Sequence, residues 1–138
     1  MLVPDGRRMS ADLVEAGRPQ VDAAPVHLLT TASLRWLQGR LPGSRIDERR
    51  FRPNIVIDAP GDAPVEQAWL GRTLAIGKAV RLRVVEPTQR CVMTTFAQAE
   101  LPADPAVLRT IGREAALRFG VYAEVLAGGA VARGDVVH

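Results

Sequence analysis

Apolar and polar residues alternate in short runs along much of the chain, a pattern typical of β-strands. Between residues 80 and 84, three apolar side chains alternate with two arginines, which predicts a strand with one buried and one solvated face. The proline-containing residues 86–88 should end this strand. Other stretches rich in apolar or β-branched residues predict short strands at 26–29, 54–58, 69–71, 74–77, 91–95, 121–125 and 130–131.

Two segments show helical rather than alternating spacing. The first helix is predicted over 34–41, where leucines recur after the hydroxyl-bearing residues 30–33 and before Pro42-Gly43. The second is predicted over 105–119, with Asp104 as its N-cap and a glycine directly after it. Many short strands with glycine turns and two helices together predict a β-rich α+β domain, either a barrel or a sandwich.

The chain has 138 residues, which suits one domain with a substantial core rather than two domains. Residues 1–25 are rich in proline, glycine and charged residues and are predicted to be irregular, so the folded domain is placed at 26–138. No apolar run approaches the roughly 18 residues of a membrane span, and the first ten residues lack the apolar core of a secretory signal. We therefore expect a soluble, cytoplasmic protein that does not associate with membranes.

Arginine supplies nearly all of the positive charge: there are 17 arginines and one lysine, yet the net charge is only +3. Arginine favours bidentate binding of phosphate or carboxylate groups, although a compositional bias of the genome explains the surplus equally well. The low net charge and the few aromatic residues disfavour nucleic-acid binding. Phosphate-loop and dinucleotide-binding motifs are absent from the sequence.

The single cysteine, Cys91, excludes an internal disulfide and a multi-cysteine metal cluster. It follows Arg90 and a loop stiffened by Pro87, and a cationic neighbourhood would favour the thiolate that binds metals or attacks electrophiles. A buried, purely structural cysteine is the alternative. The two histidines, His27 and the C-terminal His138, lack metal-ligand spacing, and His27 is predicted to be a satisfied histidine in a strand or core.

A second group of polar residues precedes the strand predicted at 54–58. Arginines surround Phe51, which can anchor in the core, and Pro53 fixes the backbone before Asn54. The guanidinium and amide groups of Arg52 and Asn54 suit an anionic heterocycle that carries a phosphate. A solvated, charged turn is the alternative interpretation.

Several segments between residues 26 and 138 form an ordered set of motifs. The most recognisable is Arg50-Phe51-Arg52-Pro53-Asn54-Ile55-Val56, and the others are His27–Leu34, Trp69–Gly77, Pro87–Cys91, Phe119–Tyr122 and Gly128–Asp135. In this order they resemble the MOSC domain family, the C-terminal domain of molybdenum cofactor sulfurases. The resemblance is greatest to stand-alone MOSC proteins and to the amidoxime-reducing components.

The resemblance implies a MOSC-type antiparallel β-barrel with two helices that binds molybdopterin carrying molybdenum. Cys91 would match the catalytic cysteine, which ligates molybdenum through its sulfur. The cofactor-binding residues implied by the motifs are Arg52 and Asn54 at the pterin and its phosphate, Thr31, Ala32 and Ser33 at a helix start that favours an anion, and Thr88 and Arg90 beside the cysteine.

The implied activity is that of a molybdenum-dependent oxidoreductase, which reduces N-oxygenated small molecules with electrons from a donor protein. The alternative is a non-catalytic cofactor carrier or a sulfur-transfer module. Full-length relatives carry a longer N-terminal region, so we expect some strands of the barrel to be missing from this chain. Either a partner supplies these strands, or their absence leaves open sheet edges that allow self-association. Pyridoxal phosphate belongs to the separate sulfurase domain and is not expected in this chain.

Overall fold

Strands form most of the regular structure in the computed structural model, which describes residues 9–13, 20–21, 26–90, 102–115 and 118–138. The strands are β1 (Met9–Leu13), β2 (Gln20–Val21), β3 (Val26–Thr30), β4 (Ile55–Asp58), β5 (Thr73–Ile76), β6 (Val80–Gln89), β7 (Arg118–Ala127), β8 (Gly129–Ala130) and β9 (Asp135–Val137). The helices are α1 (Thr31–Arg40) and α2 (Pro105–Ala115), with short 3₁₀ helices at Glu48–Arg50 and Val65–Trp69. Within these described ranges, no helix combines the length and apolarity needed to cross a membrane.

Seven of the strands close into a barrel in the order β1-β4-β3-β7-β6-β5-β9, and β9 pairs back onto β1. The barrel pairings are antiparallel except for β3 with β4, which run parallel with Leu28 opposite Ile55 and Thr30 opposite Ile57. This parallel pair is possible because α1 carries the chain across between the two strands. The fold is the β-rich barrel with two helices that the sequence predicts, with a mixed rather than a purely antiparallel sheet.

Closure of the barrel differs from the open sheet edge expected from the sequence. β1 pairs with β4 from Ser10 to Leu13 and with β9 from Met9 to Ala11. As described, each of the seven barrel strands therefore has a neighbour on both sides. β1 and β2 both lie within residues 1–25, which the composition predicts to be irregular. They form strands because pairing with distant strands overrides the weak local pattern.

Two hydrophobic clusters stabilise the fold. The larger one fills the barrel and consists mainly of inward-facing strand residues such as Leu82 and Val121, which are fully buried. The smaller one joins the two helices to the barrel, with Leu37 from α1 and Ile111 from α2 packed near Phe119 of β7. Each fully buried side chain of this size contributes about 2 kcal/mol of hydrophobic free energy.

Helix α1 begins before the leucine repeat, because Thr30 provides its cap. Thr30 has an extended backbone, and its side chain accepts a hydrogen bond from the backbone N–H of Ser33 at 3.1 Å. Leu37 is fully buried, and the flanking Leu34 and Leu41 are partly buried, as the helical spacing predicts. The N–H of Leu41 bonds to the carbonyl of Leu37 at 3.1 Å as the helix ends.

Long-range pairing between β6 and β7 overrides two local signals. β6 continues through Pro87 to Gln89, because its ladder with β7 contains register shifts at which a proline is tolerated. α2 ends at Ala115 instead of residue 119, and Gly120 lies inside β7. Separately, the residues predicted as a strand at 69–71 form the end of a 3₁₀ helix and a turn.

Candidate functional site

Arg90 joins the stretches of chain that carry several of the predicted site residues. Its Nε donates to the carbonyl oxygen of Phe119 at 2.8 Å, and its Nη1 donates to that of Phe51 at 2.9 Å. Its Nη2 lies 2.5 Å from Nε2 of His27. The residue after β6 is therefore bound to β3, to the start of β7 and to the turn that precedes β4.

His27 lies in β3 and is buried, as the sequence predicts. Its Nδ1 is 3.4 Å from the carbonyl oxygen of Arg52, which can only accept, so Nδ1 carries the proton and Nε2 accepts from Arg90. Burial and, secondly, the charge of Arg90 lower the pKa of His27 to about 3. The ring is therefore neutral near pH 7 and binds the guanidinium without repelling it.

Gly120 allows the ring and the guanidinium to meet. Its φ of 84° lies in the left-handed region that favours glycine. A Cβ at this position would lie 2.5 Å from Nε2 of His27 and 3.1 Å from Nη2 of Arg90. The sequence pattern predicts only a helix end here, so the close approach is a role that local pattern does not reveal.

Arg52 and Asn54 stand in the turn before β4 with exposed side chains. Arg52 has a φ of 52°, which is rare for a residue that is not glycine. Asn54 is bonded to β3 through its side chain and its backbone. Its side-chain Oδ1 accepts from the backbone N–H of His27 at 2.7 Å, and its backbone N–H donates to the carbonyl of His27 at 2.9 Å. Because Oδ1 is engaged, the group that Asn54 can offer a ligand is its NH₂ donor.

The start of α1 holds a buried carboxyl group that no local sequence signal reveals. Glu66 is fully buried; its Oε2 accepts from the hydroxyl of Thr30 at 2.6 Å, and its Oε1 accepts from the hydroxyl of Ser33. Burial raises the pKa of Glu66, opposed by these two hydroxyls and by Arg90. The hydroxyl of Ser33 is thus bonded to Glu66 and its backbone N–H to Thr30, and Ala32 is buried.

Thr31, the first residue of α1, ties the helix to the end of β4. Its hydroxyl donates to Oδ1 of Asp58 at 2.9 Å and accepts from the backbone N–H of Ala59 at 3.0 Å. The predicted cofactor-binding residues therefore fall into groups at the two ends of β3. Residues 31–33 stand at its C-terminal end, and the turn 52–54 stands at its N-terminal end.

Thr88, near the end of β6, is buried with an unsatisfied hydroxyl. Its side chain is 1% exposed, and its Oγ1 has no hydrogen-bond partner in the part of the chain that the structure describes. A buried hydroxyl is usually paired, because leaving one unpaired costs about 1–3 kcal/mol. Thr88 shares this property with the buried Arg50, whose two Nη atoms also have no partner among the described residues.

Cys91, the predicted metal ligand, lies outside the described residues, as does the strand predicted at 91–95. The structure defines the residue before it, Arg90, through the three contacts given above. Over the described ranges, no group of three or more His, Cys, Asp or Glu side chains could hold a metal ion.

A cavity elsewhere on the surface is separate from these residues. It has a volume of about 540 Å³ and lies between α1 and the loop after it, where Arg35 and Arg45 are among the lining residues. The buried Arg50 is bonded to its wall, since Nε donates to the carbonyl of Arg45 at 2.9 Å. None of the predicted site residues lines this cavity.

The chain is a closed β-barrel domain with two helices, and an arginine-asparagine turn lies beside β3. The sequence profile of the MOSC domain matches residues 15–138, and the chain therefore belongs to the MOSC domain family. This family is associated with molybdenum cofactor binding and sulfurase-type function. A sequence comparison with curated proteins gives no match.

Two solved structures share the fold. YiiM from Geobacillus stearothermophilus has a TM-score of 0.60 and 20% sequence identity, over 81% of this chain and 52% of that chain. A protein described as hypothetical has a TM-score of 0.60 and 14% identity, over 95% of this chain and 60% of that chain. The chain thus spans between about half and three-fifths of the length of these two proteins, and the likeness shows the fold alone.

Proposed function

We propose that this chain binds molybdopterin carrying molybdenum, with Cys91 as the thiolate ligand of the metal. The observation that carries the proposal is the buried, unpartnered hydroxyl of Thr88, two residues before Arg90, in a chain of the MOSC family. An unsatisfied polar atom of this kind marks a place where a ligand atom can complete the hydrogen bonding.

The described residues fit such a ligand on the side of the turn before β4. Arg52 offers an exposed guanidinium suited to a phosphate, and Asn54 offers an amide donor suited to the heterocycle. At the start of α1, the first backbone N–H groups can support an anion. These groups are the ones that the family motifs assign to the cofactor.

The chain's own residues would bind and orient the cofactor, which supplies the redox chemistry when bound. A cysteine thiolate is a soft ligand, and the positive charge of the adjacent Arg90 favours the ionised form. Arg52 would hold the phosphate in a bidentate manner, and Asn54 would set the orientation of the ring. Electron transfer would need a donor protein, since the chain's own side chains carry no redox group beyond the thiol.

The reaction class that we propose is the reduction of N-oxygenated small molecules. It rests on the resemblance of the motifs at 50–56 and 87–91 to those of the amidoxime-reducing components. The alternative is a non-catalytic carrier or a sulfur-transfer module, which is consistent with a chain that spans only 52% and 60% of the solved structures it matches.

The first experiment is metal and pterin analysis of the chain, purified from a host that makes the cofactor. We expect stoichiometric molybdenum and pterin in the wild type and loss of molybdenum in Cys91→Ala. Arg109→Ala, which removes an exposed arginine of α2, is the matched control and should keep both. Equal molybdenum in wild type and Cys91→Ala would overturn the ligand role, and a wild type without molybdenum and pterin would overturn cofactor binding.

A second experiment separates the enzyme from the carrier. The loaded chain is given a panel of N-hydroxylated compounds and a chemical or protein electron donor, and product formation is followed. Turnover that disappears in Cys91→Ala supports the reductase. Bound cofactor without turnover across the panel supports the carrier or sulfur-transfer module instead.

A further inference from the structure

His27 is the common hydrogen-bonding partner of three residues that the family motifs place in the site. Its backbone N–H and carbonyl bind Asn54, its Nδ1 faces the carbonyl of Arg52, and its Nε2 faces Arg90. We propose that His27 is a positioning residue, which holds Arg90 so that the chain entering Cys91 keeps a fixed place relative to Arg52 and Asn54. This inference rests on the proposed function, because it assigns His27 a role in cofactor binding without a contact to the cofactor.

The chemistry of the ring suits this role. Arg90 carries only donors, and the carbonyl oxygen of Arg52 is only an acceptor, so a neutral histidine with its proton on Nδ1 satisfies both at once. A protonated ring would have no acceptor for Arg90 and would add a second positive charge. Burial of His27 at 6% exposure keeps the ring neutral, which is also the direction of its lowered pKa.

Three of the contacts that hold the guanidinium of Arg90 are made by uncharged acceptors. These acceptors are the carbonyl oxygens of Phe51 and Phe119 and the ring nitrogen of His27. The guanidinium also lies 5.2 Å from the centre of the Phe51 ring. A neutral imidazole therefore fixes the guanidinium without adding a charge of its own.

Gly120 leaves room for His27 and Arg90, because atoms of both side chains occupy the space that a Cβ at position 120 would need. The contact is therefore built into the packing of β7 against β3 and is not an accidental surface encounter. An arginine in contact with three stretches of chain also loses most of its rotamer freedom on folding, so no further ordering of this residue is needed when a ligand binds.

The test compares His27→Leu, which removes the acceptor, with His27→Gln, whose carbonyl oxygen can again accept from Arg90. Val137→Ala is the control for lost stability, because Val137 is fully buried in β9 and belongs to the larger cluster, whereas Phe51 and Phe119 belong to the smaller one. The first readout needs no cofactor: the side-chain ¹⁵N signals of Arg90, assigned by their loss in Arg90→Lys. We expect restricted guanidinium rotation in the wild type and in His27→Gln, and faster rotation in His27→Leu, in which the bonds to the carbonyls of Phe51 and Phe119 remain.

The second readout is the molybdenum and pterin retained per chain after extended dialysis. Loss of a residue that orients a ligand-binding group typically weakens binding by about 10-fold to 100-fold, so we expect a loss of about 10-fold or more in His27→Leu. His27→Gln should recover most of the binding, and Val137→Ala should retain wild-type binding despite its lower stability. Wild-type retention in His27→Leu, or equal losses in His27→Leu and Val137→Ala, would overturn the positioning role.

The two readouts distinguish this inference from the proposed function. A wild type that holds no cofactor would overturn the proposed function, and with it the role of His27 in cofactor binding. The Arg90 signals would then still show whether His27 fixes the guanidinium. A wild type that binds cofactor while Arg90 rotates freely would overturn the positioning role alone.

Discussion

Two separate properties favour glycine at position 120: its backbone conformation and the lack of space for a side chain. Its φ of 84° is close to the 90° of Gly61 and the 89° of Gly134, so an L-residue meets similar backbone strain at all three. Only at Gly120 would a new Cβ also meet His27 and Arg90, since the other two positions have open space. The three glycines therefore form a matched series.

We expect Gly120→Ala to lower the free energy of unfolding more than Gly61→Ala or Gly134→Ala does. The left-handed backbone costs about 1–2 kcal/mol at each position, and displacement of the ring and guanidinium adds about 1–3 kcal/mol at Gly120. Urea denaturation followed by tryptophan fluorescence measures the difference. Equal losses at the three positions would contradict the close approach.

Candidate site residues could be proposed from sequence, whereas the partners that hold them could not. Arg52 and Asn54 belong to a contiguous motif, and the structure places both at the surface of one turn. His27 and Arg90 are 63 residues apart, and no local pattern connects them. No local sequence pattern marks Glu66 either, because its two hydroxyl partners come close to it only in the folded chain.

The first turn of helix α1 is held by a carboxyl group from outside the helix. Thr30 uses its hydroxyl twice, accepting from the N–H of Ser33 and donating to Glu66. Ser33 donates to the other oxygen of the same carboxyl group. The 3₁₀ helix that carries Glu66 is thereby fixed to the first turn of α1.

We expect the pH dependence of stability to reveal Glu66. Folding raises its pKa, so its contribution is fully present below the ordinary value of 4.5 and is lost as pH rises through the raised value. Relative to Glu66→Gln, the wild type should therefore lose stability as pH rises above 4.5. Urea titrations between about pH 4 and pH 8, the range in which most proteins are stable, measure this.

The matched control for this change is Glu86→Gln, because Glu86 is exposed on β6. It should leave the pH profile as in the wild type. Parallel profiles for the wild type and Glu66→Gln would show that the buried carboxyl group does not change its protonation on folding.

The start of α2 was easier to predict than its end. Asp104 was predicted as the cap of α2, and its Oδ1 accepts from the N–H of Ala106 at 3.1 Å. The end of α2 was predicted too late, because residues from Arg118 onward pair with β6 instead. Pro87 was expected to break β6, but a ladder with register shifts accommodates it.

At the scale of the whole molecule, the three residues of β9 complete the barrel. Val137 stands opposite Met9 of β1 and Ile76 of β5, and its side chain is fully buried. The same strand therefore closes the backbone ladder and fills part of the larger hydrophobic cluster.

We expect Val137→Ala to lower the free energy of unfolding by about 2 kcal/mol, from lost burial and the remaining cavity. Val136→Ala, at the partly exposed neighbouring position, is the control and should cost less. Chemical denaturation measures both changes. A loss at Val137 no greater than at Val136 would show that closure by β9 contributes little to stability.

The class of fold could be predicted from strand and helix signals, but the strand order could not. Alternation indicates where strands lie, and the family motifs indicate a barrel. The parallel pairing of β3 with β4 and the insertion of β1 between β4 and β9 involve contacts between distant segments. Local periodicity carries no information about such neighbours.

The course of β3 sets the distance between Asn54 and the start of α1. Asn54 is hydrogen-bonded to His27, and α1 begins after Thr30, three residues further along the strand. At about 3.3 Å per residue, these two positions are about 10 Å apart. A small anion would reach only one of them at a time, so contact with both, as we propose for the cofactor, requires an elongated molecule.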